Sequence, residues 1–273
     1  EFPYDCSETE YPGHATVLTK KAISNGYNII VAVGGDGTIN EVANGILSTP
    51  NINITLGVVG TGGSCCFINS LGIPRDYHKA VTLLNNMKKR KIDVAKIEYN
   101  YQQHDQRRYF VNHADIGFGA EATRRWSRIS QKTGRAMDFV LRFGIAVTSL
   151  LDHRNIPLDV EIDGEDLKMN SNEIIVENGQ YFANKMLAAP SAKLDDGLLD
   201  IVILNNITKL ELLSIVPKVY SGNHIKHPKV NTFSAKHIEI KSSVKFYVEA
   251  DGELIGEGPV SISVVPKALS VVA

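Results

Sequence analysis

The apolar run Ile29-Ile30-Val31-Ala32-Val33 leads straight into Gly34-Gly35-Asp36-Gly37-Thr38, and Ile39, Val42, Ala43 and Ile46 then recur at the i, i+3, i+4, i+7 spacing of a helix. A buried strand, a glycine loop and an amphipathic helix in that order bring loop amides and a helix N-terminus to one point, where they can receive a phosphate. The glycines allow close approach because no Cβ intervenes, Asp36 supplies a carboxylate for a cation, and Thr38 offers a hydroxyl donor. Glycines after a strand also serve simply to turn a chain. Here the pattern returns: Thr55 to Val59 is a second apolar run, and it ends in Gly60-Thr61-Gly62-Gly63-Ser64. Two such loops at the C-terminal ends of neighbouring parallel strands line the crevice in which open α/β sheets bind ligands, and the ligand they suit is a nucleotide.

The surrounding periodicity gives a two-part plan. Ala15, Leu18, Ala22 and Ile23 predict a helix ending near Gly26, and Tyr77, Ala80, Val81 and Leu84 predict another, so residues 1–91 read as an α/β unit. Residues 92–265 read differently. Period-two stretches at Val94–Tyr101, Tyr109–Phe118, Leu158–Ile162, Glu173–Glu177, Leu199–Leu204, Val230–Ile240, Val244–Ala250 and Val260–Val265 predict strands, with Asp163-Gly164 and Asp251-Gly252 as tight turns. Helical insertions are expected at Ala120 to about Leu151, broken near Thr133-Gly134, and at Lys209–Tyr220. The fold class is α/β followed by all-β, and residues 266–273 are expected to return to the first unit.

Composition narrows the partners. Lys and Arg number 29 against 30 Asp and Glu, which argues against a nucleic-acid partner. Cys6, Cys65 and Cys66 have no CxxC spacing, giving neither a disulfide framework nor a zinc site and fitting a reducing cytoplasm. No run approaches the roughly 18 apolar residues of a membrane span, and no secretory signal is visible. Three features suit either a membrane surface or ordinary structure. Lys88-Lys89-Arg90-Lys91 fits an anionic surface or a solvated helix end. The stripe Phe139, Val140, Phe143, Val147, Leu150 and Leu151 fits a lipid groove or core, and Trp126 with Arg124, Arg125 and Arg128 fits headgroup contact or a plain amphipathic helix. The chain opens on Glu1-Phe2-Pro3 without Met, so a preceding segment is expected to have been removed or not included.

GGDGT followed by Ile39-Asn40-Glu41, GTG at Gly60-Thr61-Gly62, Ser70-Leu71-Gly72-Ile73-Pro74, the Ala189-to-Asp200 segment (APSAKLDDGLLD) and Asp251-Gly252-Glu253 occur in an order that resembles the catalytic domain of diacylglycerol kinases and related lipid kinases. The resemblance implies a Rossmann-like nucleotide domain of the NAD kinase and phosphofructokinase type, with a C-terminal antiparallel β-sandwich completing the cleft. It further implies that Gly34, Gly35, Asp36, Gly37, Thr38 and Asn40 hold ATP phosphates, that Thr61 and Thr9 touch the nucleotide, and that Glu253 is the general base, with Asp36 also catalytic. Asp196, with the backbone carbonyls of Lys193 and Leu198, matches a supporting Mg²⁺ position. The implied partners are ATP and a lipid alcohol met at a membrane surface by a cytoplasmic, peripherally associating protein. An edge strand would allow a homodimer.

Asp-Gly-Glu occurs twice, at residues 163–165 and 251–253, and its spacing alone does not choose between them. The resemblance favours the second, which follows the aromatic-bearing strand near Phe246-Tyr247. The adjacent carboxylates Asp195 and Asp196 read either as a loop cap or as hard-cation ligands. The family pattern departs at Gly63-Ser64, where Asn-Asp is usual, and at Ala183-Asn184-Lys185-Met186, where glycines are usual. Its first strand is expected to be absent. Two alternatives stay open: a kinase of a soluble substrate resembling NAD kinase, and a nucleotide- or lipid-binding protein with impaired catalysis.

Overall fold

The computed structural model describes residues 3–50, 53–130, 145, 148–149, 152, 154–183 and 185–273. The apolar stripe of Phe139, Val140, Phe143, Val147, Leu150 and Leu151 and the expected break at Thr133-Gly134 lie outside them.

The N-terminal part forms as its periodicity dictates. Helix α1 (His14–Ser24) precedes strand β1 (Ile29–Gly34), helix α2 (Asp36–Leu47) and strand β2 (Thr55–Gly60), and β1 pairs parallel to β2 with Gly34 opposite Gly60. A short helix α3 (Cys66–Leu71), unmarked by any sequence signal, follows the second glycine loop, and α4 (Tyr77–Asn86) is capped by the Asp76 carboxylate accepting from Lys79 N–H. Ile39, Leu56, Val58, Phe67 and Ile68 fill the core beneath these helices.

Strand β3 (Lys89–Tyr101) starts earlier than its period-two pattern, so the basic run is a strand entry and not a helix end. The stretch expected as one strand from Tyr109 to Phe118 is broken at Val111-Asn112 into β4 (His104–Phe110) and β5 (His113–Gly117), and helix α5 (Phe118–Ser130) follows. Then come β6 (Ile156–Ile162), β7 (Glu165–Glu177), the small hairpin β8 (Tyr181–Phe182) and β9 (Met186–Leu187), β10 (Leu199–Asn205) and α6 (Lys209–Val219). The run Val230–Ile240 is likewise two strands, β11 (Val230–Ala235) and β12 (His237–Lys241), while Val244–Ala250 shortens to β13 (Tyr247–Ala250). Both Asp-Gly turns have φ of about 50° at Asp and 90° at Gly, as a tight hairpin requires.

The last strand, β14 (Glu253–Val272), is far longer than the expected Val260–Val265 and joins the two parts. It runs antiparallel to β3 from Glu257 opposite Asn100 to Val272 opposite Lys89, and Ser270 and Val271 also pair parallel with β2. A register shift between Val265 and Leu269 lets Lys267 N–H donate to the buried Asp93 carboxylate at 2.7 Å. Beyond it, Leu269 and Val271 enter the N-terminal core, whereas Ile255, Val260 and Ile262 lie in a second core with Phe110, Ile116, Ile174 and Ile201.

Candidate active site

The two glycine loops touch. Thr61 N–H donates to Gly34 carbonyl at 2.9 Å, and a Cβ on Gly62 would come within 2.6 Å of Gly35 Cα. Gly34 is equally tight, since a Cβ there would lie 2.7 Å from Thr38 Cβ. Side chains are thus excluded at the strand ends, leaving backbone amides at the start of α2 as the lining. The Asp36 carboxylate accepts from Phe67 N–H at 3.2 Å, so it caps α3 and ties the second loop to the first. Thr61 is exposed at the mouth of the pair. Thr9 is exposed in the irregular segment before α1, with no described contact to either loop.

Glu253 comes to this loop from the other end of the chain. A Cβ placed on Gly37 would lie 3.5 Å from Glu253 Oε1, while Glu253 Oε2 sits 2.7 Å from Arg108 Nη2. Arg108 also donates through Nε to Asn40 Oδ1 at 3.2 Å, and through Nη2 to the same atom. Asn40 is fully buried, and its Nδ2 donates to Asp251 Oδ2 at 2.6 Å and to Tyr109 carbonyl. The amide of Asn40, expected to lie at the phosphates, is engaged by Arg108 and Asp251. Asp251 in turn accepts from the backbone N–H groups of Val111, Asn112 and His113 at 2.8–3.0 Å. Burial pushes its carboxyl pKa up, and the charge of His113 with these donors pulls it back.

Glu253 also lines a cavity of about 620 Å³ walled by Gly13 before α1, Thr16 of α1, Glu41 and Asn44 of α2, Tyr99, Arg107 and Arg108, and Thr123, Trp126 and Ser127 of α5. Glu41 fixes the α1 end of that wall by accepting from Gly13 N–H at 2.7 Å and Ala15 N–H at 2.9 Å. Glu253 therefore stands between the glycine loop and a space large enough for part of a second substrate.

The chain matches the diacylglycerol kinase catalytic domain over residues 1–97 and the YegS C-terminal NAD kinase beta sandwich-like domain over residues 113–273. A diacylglycerol kinase of Staphylococcus haemolyticus is 31% identical over 252 residues, covering 92% of this chain and 72% of that protein. The chain belongs to the diacylglycerol kinase family. A diacylglycerol kinase structure from Bacillus anthracis superposes with a TM-score of 0.71 over 97% of this chain and 82% of that one at 22% identity, and yeast NADH kinase shares the fold more distantly, with a TM-score of 0.53 at 14% identity over 92% and 62%. Against the family's expected ligand set, Asp196 is exposed and its Oδ1 accepts from Leu198 N–H at 3.1 Å, closing its own turn beside the exposed Lys193. No group of three or more His, Cys, Asp or Glu side chains among the described residues is arranged to hold a metal ion.

Arg108 and Asp251 are the site residues that sequence reasoning did not single out. Asp251 adjoins Glu253 in the same tripeptide, which was the available signal; for Arg108 there was none. Behind them lies a buried charged layer on β5, β7 and β13. His113 Nε2 is 3.4 Å from Glu249 Oε2, and although burial opposes the imidazolium, that carboxylate with Glu177 and Asp251 raises its pKa well above normal. Burial, with the Glu249 charge, lifts Asp115 to about 7, and its hydrogen-bonded neighbour Glu173 is also raised by burial and by Asp115. Burial lifts Glu177 to about 8, partly offset by His113.

Proposed function

We propose that this chain transfers the γ-phosphoryl group of ATP to the hydroxyl of diacylglycerol or a related lipid alcohol. Lipid kinase activity is what membership of the diacylglycerol kinase family supports. The observation that carries the finer reading is Glu253, which lines the cavity and has one carboxylate oxygen beside Gly37 of the glycine loop. The phosphates rest on the Gly34–Thr38 amides at the start of α2, with Thr61 at the rim, where the helix dipole favours negative charge. The acceptor hydroxyl enters from the cavity. As its oxygen attacks the γ-phosphorus, its proton passes to the Glu253 carboxylate and ADP leaves.

Arg108 orients that carboxylate and places a cation beside the transferring group, while Asn40 and Asp251 hold Arg108 in turn. Asp36 joins the loops through Phe67 and keeps the amides in place. Mg²⁺ arrives with the nucleotide phosphates as part of the substrate. Purified protein with γ-labelled ATP, Mg²⁺ and separate acceptors tests the reading. Label is expected on diacylglycerol or another lipid alcohol, with transfer by Glu253→Gln lower by ~10²–10⁴. Label on NAD alone, or full activity of Glu253→Gln, would overturn it.

A further inference from the structure

The basic run at the entry to β3 is not all on the surface. Strand alternation puts Lys89 and Lys91 on the exposed side and Arg90 and Ile92 on the other, where Ile92 is fully buried. Arg90 is half-buried opposite Val271 of β14, and its guanidinium is under-used. Nη2 donates to Leu71 carbonyl at a long 3.4 Å, while Nε is buried with no hydrogen-bond partner. A buried N–H without an acceptor is costly, and an oxygen brought by a ligand would satisfy it.

The same side chain lines a cavity of about 180 Å³ between α3, the β7–β8 turn and the loop before β10, with Ser70, Gly179, Gln180, Lys193 and Asp195 around it. The walls are already tied together. Ser70 Oγ accepts from Gln180 N–H at 3.2 Å and donates to Asn112 Oδ1 at 2.9 Å, and Gln180 Nε2 donates to Pro190 carbonyl at 3.1 Å. A Cβ on Gly179 would collide with Ser70 and Asn112, so the turn closes onto α3 only with glycine there. The cations, by contrast, are unspent. Neither Arg90 nor Lys193 has an ion pair among the described residues, and Asp195 is the single carboxylate in the lining.

Two cations against one carboxylate attract an anion, and the exposed Lys89 and Lys91 that flank Arg90 in the chain add to the local positive field. The volume selects a small one, since drug-sized ligands occupy roughly 300–1,000 Å³. A guanidinium offers parallel N–H groups to phosphate oxygens, and an ammonium adds a point charge. A hard cation would need the opposite, oxygen ligands, and Asp196 is not among the lining residues.

We propose that this cavity binds a small phosphate dianion, inorganic phosphate or the phosphate of a small monoester, held by Arg90 and Lys193. Arg90 and Ser70 come from the N-terminal part of the chain, Gln180 and Lys193 from the C-terminal part, so the anion braces the seam between them. Asn112, which receives Ser70, also donates its N–H to Asp251 at 3.0 Å, in the turn that carries Glu253.

Isothermal titration of the purified chain in phosphate-free buffer, with saturating ADP and Mg²⁺ to fill the glycine loops, tests the site with inorganic phosphate, glycerol phosphate and glycerol. One equivalent of either phosphate is expected to bind and glycerol is not, with affinity that weakens as salt rises. Phosphate at about ten times its Kd should raise the thermal midpoint by about 3 °C. Arg90→Gln and Lys193→Gln should each weaken binding about tenfold or more. Binding that ADP abolishes, binding by both variants equal to wild type, or no binding by wild type would overturn the proposal. Lys193 is exposed, so Lys193→Gln decides the matter where Arg90→Gln proves unstable: unchanged phosphate affinity there overturns it. The proposal does not rest on the kinase reading, because should ADP fail to bind, the dependence on Lys193 still decides it.

Discussion

At Gly62 the two loops leave no space for even a methyl group, because its nearest neighbour is the Gly35 backbone rather than a side chain that could swing aside. One position later, a Cβ on Gly63 would meet nothing within 4 Å. Gly62→Ala is therefore expected to cost about 1–3 kcal/mol in urea unfolding and to weaken ATP binding, while Gly63→Ala stays within about 0.5 kcal/mol of wild type. Equal effects of the two would mean that the loops are not locked together. Arg108 has a comparable position in the chemistry, since it bridges Glu253 and Asn40. Arg108→Ala should lower kcat about 100-fold with a smaller change in the KM for lipid. Arg108→Lys should recover only part, because an ammonium lacks the planar fork that spans both acceptors.

Strands β5, β7 and β13 bury His113, Asp115, Glu173, Glu177 and Glu249 in one layer, and Glu177 is fully buried with no hydrogen-bond partner on either carboxylate oxygen. The groups that face it are His113, Asp251, Glu249 and Asp115. With its pKa raised from 4.5 to about 8, the folded state holds a proton that the unfolded chain has released. Stability from this group is fully present below pH ~4.5 and is lost as pH rises through about 8, at a slope on the order of 1 kcal/mol per pH unit. The raised His113 acts in the same direction. Glu177→Gln should therefore flatten the fall in unfolding free energy between pH 6 and pH 8, and an unchanged slope would show that Glu177 is ionised in the fold. Little of this layer was legible in the sequence, where Glu173–Glu177 read only as a period-two strand. Strands β1, β2, β6 and β10 were legible because their apolar residues recur cleanly, and the GGDGT loop and Glu253 because each sits in a contiguous motif. The corner between β11 and β12 was hidden because Ala235-Lys236 carries no Gly or Pro to mark it. Strand β14 was hidden for the opposite reason: Gly256, Gly258-Pro259 and Pro266 read as breakers, yet pairing with β3 carries the strand through. The Asn40–Asp251 bond joins residues 211 positions apart, beyond the reach of any local pattern.

Across the whole molecule, β14 has residues in both hydrophobic cores, and Asn40 of α2 hydrogen-bonds the turn that precedes this strand. Neither part can lose its structure without unpairing a strand or a buried polar group that belongs to the other, so we expect one cooperative transition. Trp126 is the only tryptophan and lies in α5, so its fluorescence reports on the C-terminal part, while circular dichroism at 222 nm also follows α1 to α4 of the N-terminal part. The two thermal curves should coincide in the wild type. ATP with Mg²⁺ at about 100 times its Kd should then raise both midpoints together by roughly 5–10 °C, because ligand binding adds about 2.7 kcal/mol to the single folded state. Asn40→Ala, which leaves Asp251 without its side-chain donor and Arg108 without its second acceptor, should lower both midpoints in parallel and reduce the ATP-dependent rise. A Trp126 transition that stays fixed while the dichroism curve moves with ATP would mean that β14 and the Asn40–Asp251 bond do not couple the two parts, and that the glycine loop and Glu253 are brought together only when both substrates bind.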